Sequence, residues 1–231
     1  MITRSKQNGQ ASLRAKKSAI INRTDHYARW GKRTFDIVFA SIVLTVCSPL
    51  YVAIALLVCI SSRGSVLYIH PRVGLNGRQF NCIKFRTMIN GADQVLEDYL
   101  NSCPISRAEY ESSYKLKHDP RITRIGKFLR TSSLDELPQF WNVLVGDMSV
   151  VGPRPLVQDE LFKYGSAIDK VLSVRPGIAG LWQVSGRNDI PYAKRVQIDS
   201  SYVRLMSVGL DIKLIFRTIL VVIFPRGNGA Y

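Results

Sequence analysis

The sequence predicts a mostly helical α/β domain with one small sheet or hairpin, attached to an apolar helix broken near its middle. Three observations carry that prediction. An uncharged run from Ile37 to Ile60 is interrupted by Ser48-Pro49. Two short β-prone pieces flank Gly74-Leu75-Asn76-Gly77, and Asn-Gly between apolar runs is a strong hairpin signal. Most of the remaining chain reads with helical periodicity, punctuated by Gly and Pro.

Charge narrows the classes of partner. Across 231 residues, 32 Lys and Arg face 17 Asp and Glu, a formal net charge of +15. The natural partners are polyanions: nucleic acid, anionic lipid or phosphorylated substrates. A hydrophobic share of 46% is unusual in a nucleic-acid binder and ordinary in a basic protein held at a membrane. Cys47, Cys59, Cys82 and Cys103 form no C-x-x-C pair and show no zinc-ligand spacing, so a reduced, cytosolic setting is expected.

Residues 1–28 are polar and basic, with Arg4, Lys6, Arg14, Lys16, Lys17 and Arg23 against Asp25. They read as a mobile tail that rests on anionic headgroups. Residues 29–62 read as the membrane element. Its apolar run would let a straight helix cross a ~30 Å hydrocarbon core, yet Ser48-Pro49 splits it into halves of about a dozen residues, each ~18 Å long. Lys32 and Arg33 precede it and Arg63 follows. If positive charge marks the cytoplasmic side, both ends lie there. A helix bent at Ser48-Pro49 meets both observations, with Ser48 placed to satisfy a carbonyl freed by Pro49. A kinked spanning helix is the alternative.

Residues 63–231 form the remaining domain. Val66 to Ile69 and Gln79 to Phe85 read as strands, and alternation puts Lys84 and Arg86 on one face, a cationic pair suited to phosphate oxygens or a plain solvated face. Gly91 to Leu100 and Ser106 to Leu116 read as helices, the second with a Ser106/Glu109 capping box. Arg121 to Arg130 is basic and amphipathic. His26, His70 and His118 have no partners in the pattern and receive no ligand role.

The centre of the chain is Ser132 to Pro155. Asp135 and Glu136 open an apolar run whose Pro138 is tolerable in a first helical turn, so both acids sit where orphan N–H groups favour negative charge. The same residues fit a capping box in which Glu136 closes back on Ser133. Gly146 ends the run, and Gly152-Pro153-Arg154-Pro155 follows, its prolines stiffening Arg154 into a phosphate clamp. A helix is expected over Gln158 to Tyr164. Arg175 to Asn188 is a glycine-rich loop carrying Trp182, Gln183 and Arg187, suited to a nucleotide or to a plain turn over a buried Trp. Leu210 to Phe224 reads as an amphipathic helix lying in the interface, with core packing as the alternative.

No phosphate-loop, G-x-G-x-x-G, H-E-x-x-H or G-x-S-x-G motif is present. An enzyme built on this chain must use carboxylates, arginines and a metal.

These pieces, in this order, resemble the bacterial sugar transferases, the monotopic phosphoglycosyl transferases. The resemblance runs from about Lys32 to Leu220. It rests on Lys32-Arg33-Thr-Phe-Asp36, Ser48-Pro49, Lys84-Phe-Arg-Thr-Met88, Leu129-Arg130, Ser133-Leu-Asp-Glu-Leu-Pro-Gln139, Gly146-Asp-Met-Ser149, Gly152-Pro-Arg-Pro155 and Gly180-Leu-Trp-Gln-Val-Ser-Gly-Arg187. The wording of the last motif is closest to the exopolysaccharide branch. Ala179 stands where the family pattern has Thr. The resemblance implies a re-entrant helix hinged at Ser48 and Pro49, interfacial amphipathic helices, and a catalytic domain on the cytoplasmic face of the bacterial inner membrane. It further implies transfer of a hexose 1-phosphate, galactose or glucose, from a UDP-sugar to undecaprenyl phosphate, with release of UMP. In that scheme Asp135 is the nucleophile, Glu136 holds Mg²⁺, and Lys84, Arg86, Arg130, Arg154 and Arg187 bind substrate. Membrane lipids are expected partners, nucleic acid is not, and self-association is left open. Two other readings compete: the same chemistry on an N-acetylated sugar, and a non-catalytic, membrane-tethered polyanion binder.

Overall fold

The computed structural model describes residues 31–113, 116, 118–185 and 191–223; the basic tail at 1–28 and Arg187 lie outside the described residues. Nine α-helices and four strands are found among those described. As the sequence suggests, helix dominates, and the β structure is two separate two-stranded sheets.

The apolar run forms two helices, α1 (Lys32–Val46) and α2 (Ser48–Ser61), bent by 62°. The break falls at the expected dipeptide. Pro49 occupies the first turn of α2, and the Ser48 hydroxyl donates to Thr45 O at 2.8 Å, the carbonyl four residues before the proline that lost its N–H partner. Among the described residues no single helix is long and apolar enough to cross a membrane, while the bent pair together meets that length and composition. Lys32, Asp36 and Ala40 bury one stripe of α1, and Ile54 and Val58 bury one stripe of α2. The other faces leave Val46 71% and Ile60 82% exposed, far more apolar surface than a soluble core helix presents.

The hairpin pairs β1 (Leu67–Val73) with β2 (Gln79–Phe85), antiparallel, with Tyr68 opposite Lys84 and Arg72 opposite Phe80. Asn76 at φ 54° and Gly77 at φ 77° turn the chain. β1 runs four residues past the expected end because Pro71 sits in a two-stranded ribbon, where its missing N–H removes no interior ladder bond. Then come α3 (Ala92–Ser102), α4 (Pro104–Ser113) and α5 (Arg124–Ser132). The expected Ser106 cap is corrected: α4 starts at Pro104, and the Ser106 hydroxyl lies within it, 3.2 Å from Cys103 Sγ.

The helix expected to begin at the acidic pair begins later. Leu134–Glu136 is a 3₁₀ turn, and α6 covers Gln139–Val145 with Pro138 at its N-cap. β3 (Ser149–Val151) pairs in parallel with β4 (Gly177–Ala179), a pairing three residues long that periodicity cannot reveal. Between them lie a 3₁₀ stretch (Gln158–Ala167) and α7 (Ile168–Leu172). α8 (Tyr192–Leu205) and α9 (Val208–Ile223) complete the described chain. The main core gathers Ala40, Cys82, Val143, Met148, Val151, Tyr202 and Leu214 from α1, β2, α6, β3, α8 and α9.

A buried polar network crosses that core. Lys32 Nζ lies 2.7 Å from Asp211 and 3.4 Å from Asp36. Asp36 accepts from Ser149 Oγ and Val150 N, both at 3.0 Å. Tyr202 donates to Asp211 Oδ1 at 2.8 Å. Burial still holds the Asp36 pKa above its usual range, against the pull of Lys32.

Candidate active site

The acidic turn is held by its surroundings rather than by a cap. Ser133 takes left-handed backbone, φ 56°, and makes no side-chain cap. Glu136 reaches instead to β2, where its Oε1 lies 2.6 Å from Lys84 Nζ. This corrects the capping-box alternative: a charge-assisted bond to a strand 52 residues away outcompetes the local backbone donor.

Asp135 is 8% exposed. Burial pushes its carboxyl up to about 6; the charge of Glu136 adds to the rise, and Lys84 and Arg130 oppose it. Arg130 arrives from α5. A Cβ on Gly126 would meet Thr87 O at 1.9 Å, so only glycine lets α5 lie this close to the segment after β2. One turn later Arg130 Nε bonds Thr87 Oγ1 at 2.9 Å.

Arg154 is positioned by the β3–β4 pair. Gly152 N donates to Ala179 O at 2.9 Å and Gly177 N to Pro153 O at 2.8 Å, and on the far side Val73 N donates to Leu156 O at 2.8 Å, so the backbone is held before and after Arg154. The Arg154 guanidinium lies 5.7 Å from the Trp182 ring centre, whose other cationic neighbour is Arg195 at 4.4 Å.

A cleft of about 280 Å³, its open mouth included, joins these elements and is lined by Arg72, Lys84, Glu136, Gln139, Arg154 and Gln183 among others. Glu136 is among its lining residues; Asp135, the residue before it, is buried and is not. Asn142 locks the floor, accepting from Ile83 N at 3.0 Å and donating to Asn81 O at 2.7 Å. α6 is thereby fixed to β2.

Of the residues predicted from sequence, Lys84, Glu136 and Arg154 line one cleft, with Asp135 and Arg130 adjoining. Arg86 goes elsewhere. Its guanidinium donates to Ser62 O at 2.6 Å and Arg63 O at 3.0 Å, satisfying the carboxyl end of α2 as a cation there does. Arg72 and Gln139 were missed. The hairpin register supplies the signal for Arg72, since cross-strand partners put Arg72, Cys82 and Lys84 on one face.

The family model for bacterial sugar transferases matches residues 27–225. The chain belongs to this family. Among similar bacterial sugar transferases, a UDP-galactose-lipid carrier transferase of Erwinia amylovora is 49% identical over 212 residues, 91% of this chain and 43% of the relative. An undecaprenyl-phosphate galactose phosphotransferase of Salmonella typhimurium is 50% identical over 204 residues, 88% of this chain and 42% of the relative. The exopolysaccharide production protein ExoY of Rhizobium meliloti is 49% identical over 197 residues, 85% of this chain and 87% of the relative. The chain thus spans less than half the length of the first two bacterial sugar transferases and most of the third.

Proposed function

We propose that this chain transfers a hexose 1-phosphate, galactose or glucose, from a UDP-sugar to undecaprenyl phosphate and releases UMP, as a first membrane step of exopolysaccharide synthesis. The observation that carries the reading is the buried Asp135 next in the chain to Glu136, which lines a cleft whose other charged lining residues are cations. The names of the relatives support the substrates: a UDP-galactose-lipid carrier transferase and undecaprenyl-phosphate galactose and glucose phosphotransferases.

In this mechanism Asp135 presents its carboxylate to the cleft and attacks the sugar-bearing phosphorus. An Oδ–P bond forms, the bridging P–O bond to UMP breaks, and the electron pair leaves on UMP. A carboxylate nucleophile divides one hard displacement into two easier ones. An oxygen of the lipid phosphate then attacks the same phosphorus and restores Asp135. Lys84 and Arg130, the cations that Asp135 senses, offset charge on the transferred phosphoryl group.

Mg²⁺ fits the donor set. It needs one or two carboxylates and completes its shell with water and substrate phosphates. Asp135 and Glu136 supply two adjacent carboxylates whose repulsion raises Asp135, and a cation relieves that repulsion. Among the described residues no three His, Cys, Asp or Glu side chains gather, so the hold would rest on Glu136 and substrate phosphates. When bound, the ion neutralises phosphate charge.

The membrane arrangement belongs to the same reading. The bent α1–α2 pair enters and leaves by the cytoplasmic face of the inner membrane, and α9 lies in the interface. The 62° bend and the exposed Val46, Ile60, Phe216 and Leu220 support it. The deciding experiment incubates the protein with sugar-labelled UDP-galactose or UDP-glucose and no lipid. Wild type should retain label and Asp135→Asn none. Equal label on both would end the covalent mechanism, and label from an N-acetylated donor alone would end the hexose assignment.

A further inference from the structure

The cleft holds two cations that the mechanism above does not use. Among its described lining residues, Arg72, Lys84 and Arg154 face the single carboxylate of Glu136. Lys84 is already engaged with Glu136 at 2.6 Å. Two guanidiniums remain, and among the described residues neither has a carboxylate within ion-pair distance. A donor diphosphate carries two charges.

We propose that Arg72 is a substrate-binding residue: paired with Arg154, it holds the nucleotide-side phosphate of the UDP-sugar, leaving Lys84 and Arg130 to the phosphorus that Asp135 attacks. This rests on the donor reading given above. The placement within the cleft follows from the backbone: the Arg72 guanidinium reaches the carbonyl of Pro155, the residue after Arg154, and both arginines line the cleft, whereas Arg130, bonded to Thr87, is not among the lining residues. Burial and the like charge of Arg154 lower the Arg72 pKa, while Glu136 raises it; an anion between the two guanidiniums relieves their repulsion.

Geometry supports an unspent Arg72. Strand register puts it on the cleft face, two pairs from Cys82 and four from Lys84. Among the described residues the one hydrogen bond of its guanidinium is a long contact, Nη1 to Pro155 O at 3.3 Å. A fork of five N–H donors is left with most of its capacity. When the bridging P–O bond breaks, the new charge falls on the UMP phosphate, beside this pair. Arg72 therefore stabilises the departing group as its charge develops. Once UMP leaves, the same two guanidiniums face the next phosphate to enter, that of the lipid.

The competing role is a brace that merely steadies the Pro155 carbonyl. Titrations with uridine, UMP and UDP separate the two on full-length wild type, Arg72→Gln and Arg72→Lys. Arg72→Gln should weaken UMP and UDP by about tenfold or more, the value of a charge-assisted bond, and leave uridine within about twofold. Arg72→Lys should fall between, because it keeps the charge and loses the fork. Should Arg72→Gln not fold, Arg72→Lys carries the same comparison. Parallel loss of all three ligands, or unchanged UMP and UDP, overturns the assignment while the donor reading stands. A wild type that binds none of the three overturns both.

Discussion

Asp199 is a charge the fold retains at a cost, and replacing it should make the protein more stable. Its side chain is fully buried on α8. Tyr164 donates to Oδ2 at 2.9 Å, while among the described residues Oδ1 has no hydrogen-bond partner. Burial lifts its pKa from 3.8 to about 6, against the bond from Tyr164 and the charges of Arg195 and Arg154. The sign follows directly. Below 3.8 the group is protonated in folded and unfolded chains alike and costs nothing. Between 3.8 and about 6 the unfolded chain ionises while the folded one keeps its proton, so stability falls as pH rises. Above about 6 the loss is complete, of order 3 kcal/mol at ~1.4 kcal/mol per unit. Asp199→Asn keeps an acceptor for Tyr164 and cannot ionise. It should raise the Tm by roughly 6–12 °C at pH 7.5, at ~2–4 °C per kcal/mol for a chain of this size, and by almost nothing at pH 4. Thermal unfolding of both proteins at the two pH values is the assay. A variant that is less stable at pH 7.5, or a difference that does not change with pH, refutes the reasoning.

Three further outcomes are expected. Gly177→Ala puts a Cβ 2.0 Å from Gly152 N, which must separate β3 from β4 and displace Arg154; the cost should reach or exceed ~1–3 kcal/mol, read as a lowered Tm together with a raised KM for the UDP-sugar. Lys32→Met leaves Asp36 and Asp211 buried without their shared cation and should cost about 3–5 kcal/mol by denaturant titration; adding Asp211→Asn should recover part of that loss. Pro49→Ala returns the N–H that the bend lacks, so a fraction of chains should straighten, and an added N-terminal tag should become protease-protected on the far side of sealed vesicles. A tag that stays wholly on the catalytic side would remove Pro49 as the cause of the bend.

Local signals were legible and distant pairings were not. Ser48-Pro49 announces the bend because a missing N–H and a back-bonding hydroxyl act within one turn, and Asn76-Gly77 announces the hairpin because its dihedral demands are local. Glu136 misleads for the converse reason. Its nearest sequence pattern is a cap on Ser133, whereas its bond goes to Lys84, and no periodicity encodes a contact across 52 residues. Arg86 shares an alternation face with Lys84 yet lies past the end of β2, where the carbonyls of Ser62 and Arg63, just after α2, take it. Lys32 and Asp211, 179 residues apart, read as a flanking charge and a helix-face charge until the fold buries them together.

The bend and the acidic turn are mechanically one unit. The segment from Leu137, which follows the acidic pair, through α6 is gripped at its two ends by the two arms of the bent pair. From α1, Arg33 donates to Val143 O at 2.6 Å and Leu144 O at 2.8 Å, at the helix's carboxyl end. From α2, Tyr51 donates to Leu137 O at 2.6 Å, one residue after Glu136. The two grips lie on opposite sides of the break between the arms. A change in the 62° angle must therefore strain one grip or move the turn carrying Asp135 and Glu136, so the hinge is coupled to the position of the acidic pair relative to the apolar surface that the two helices expose.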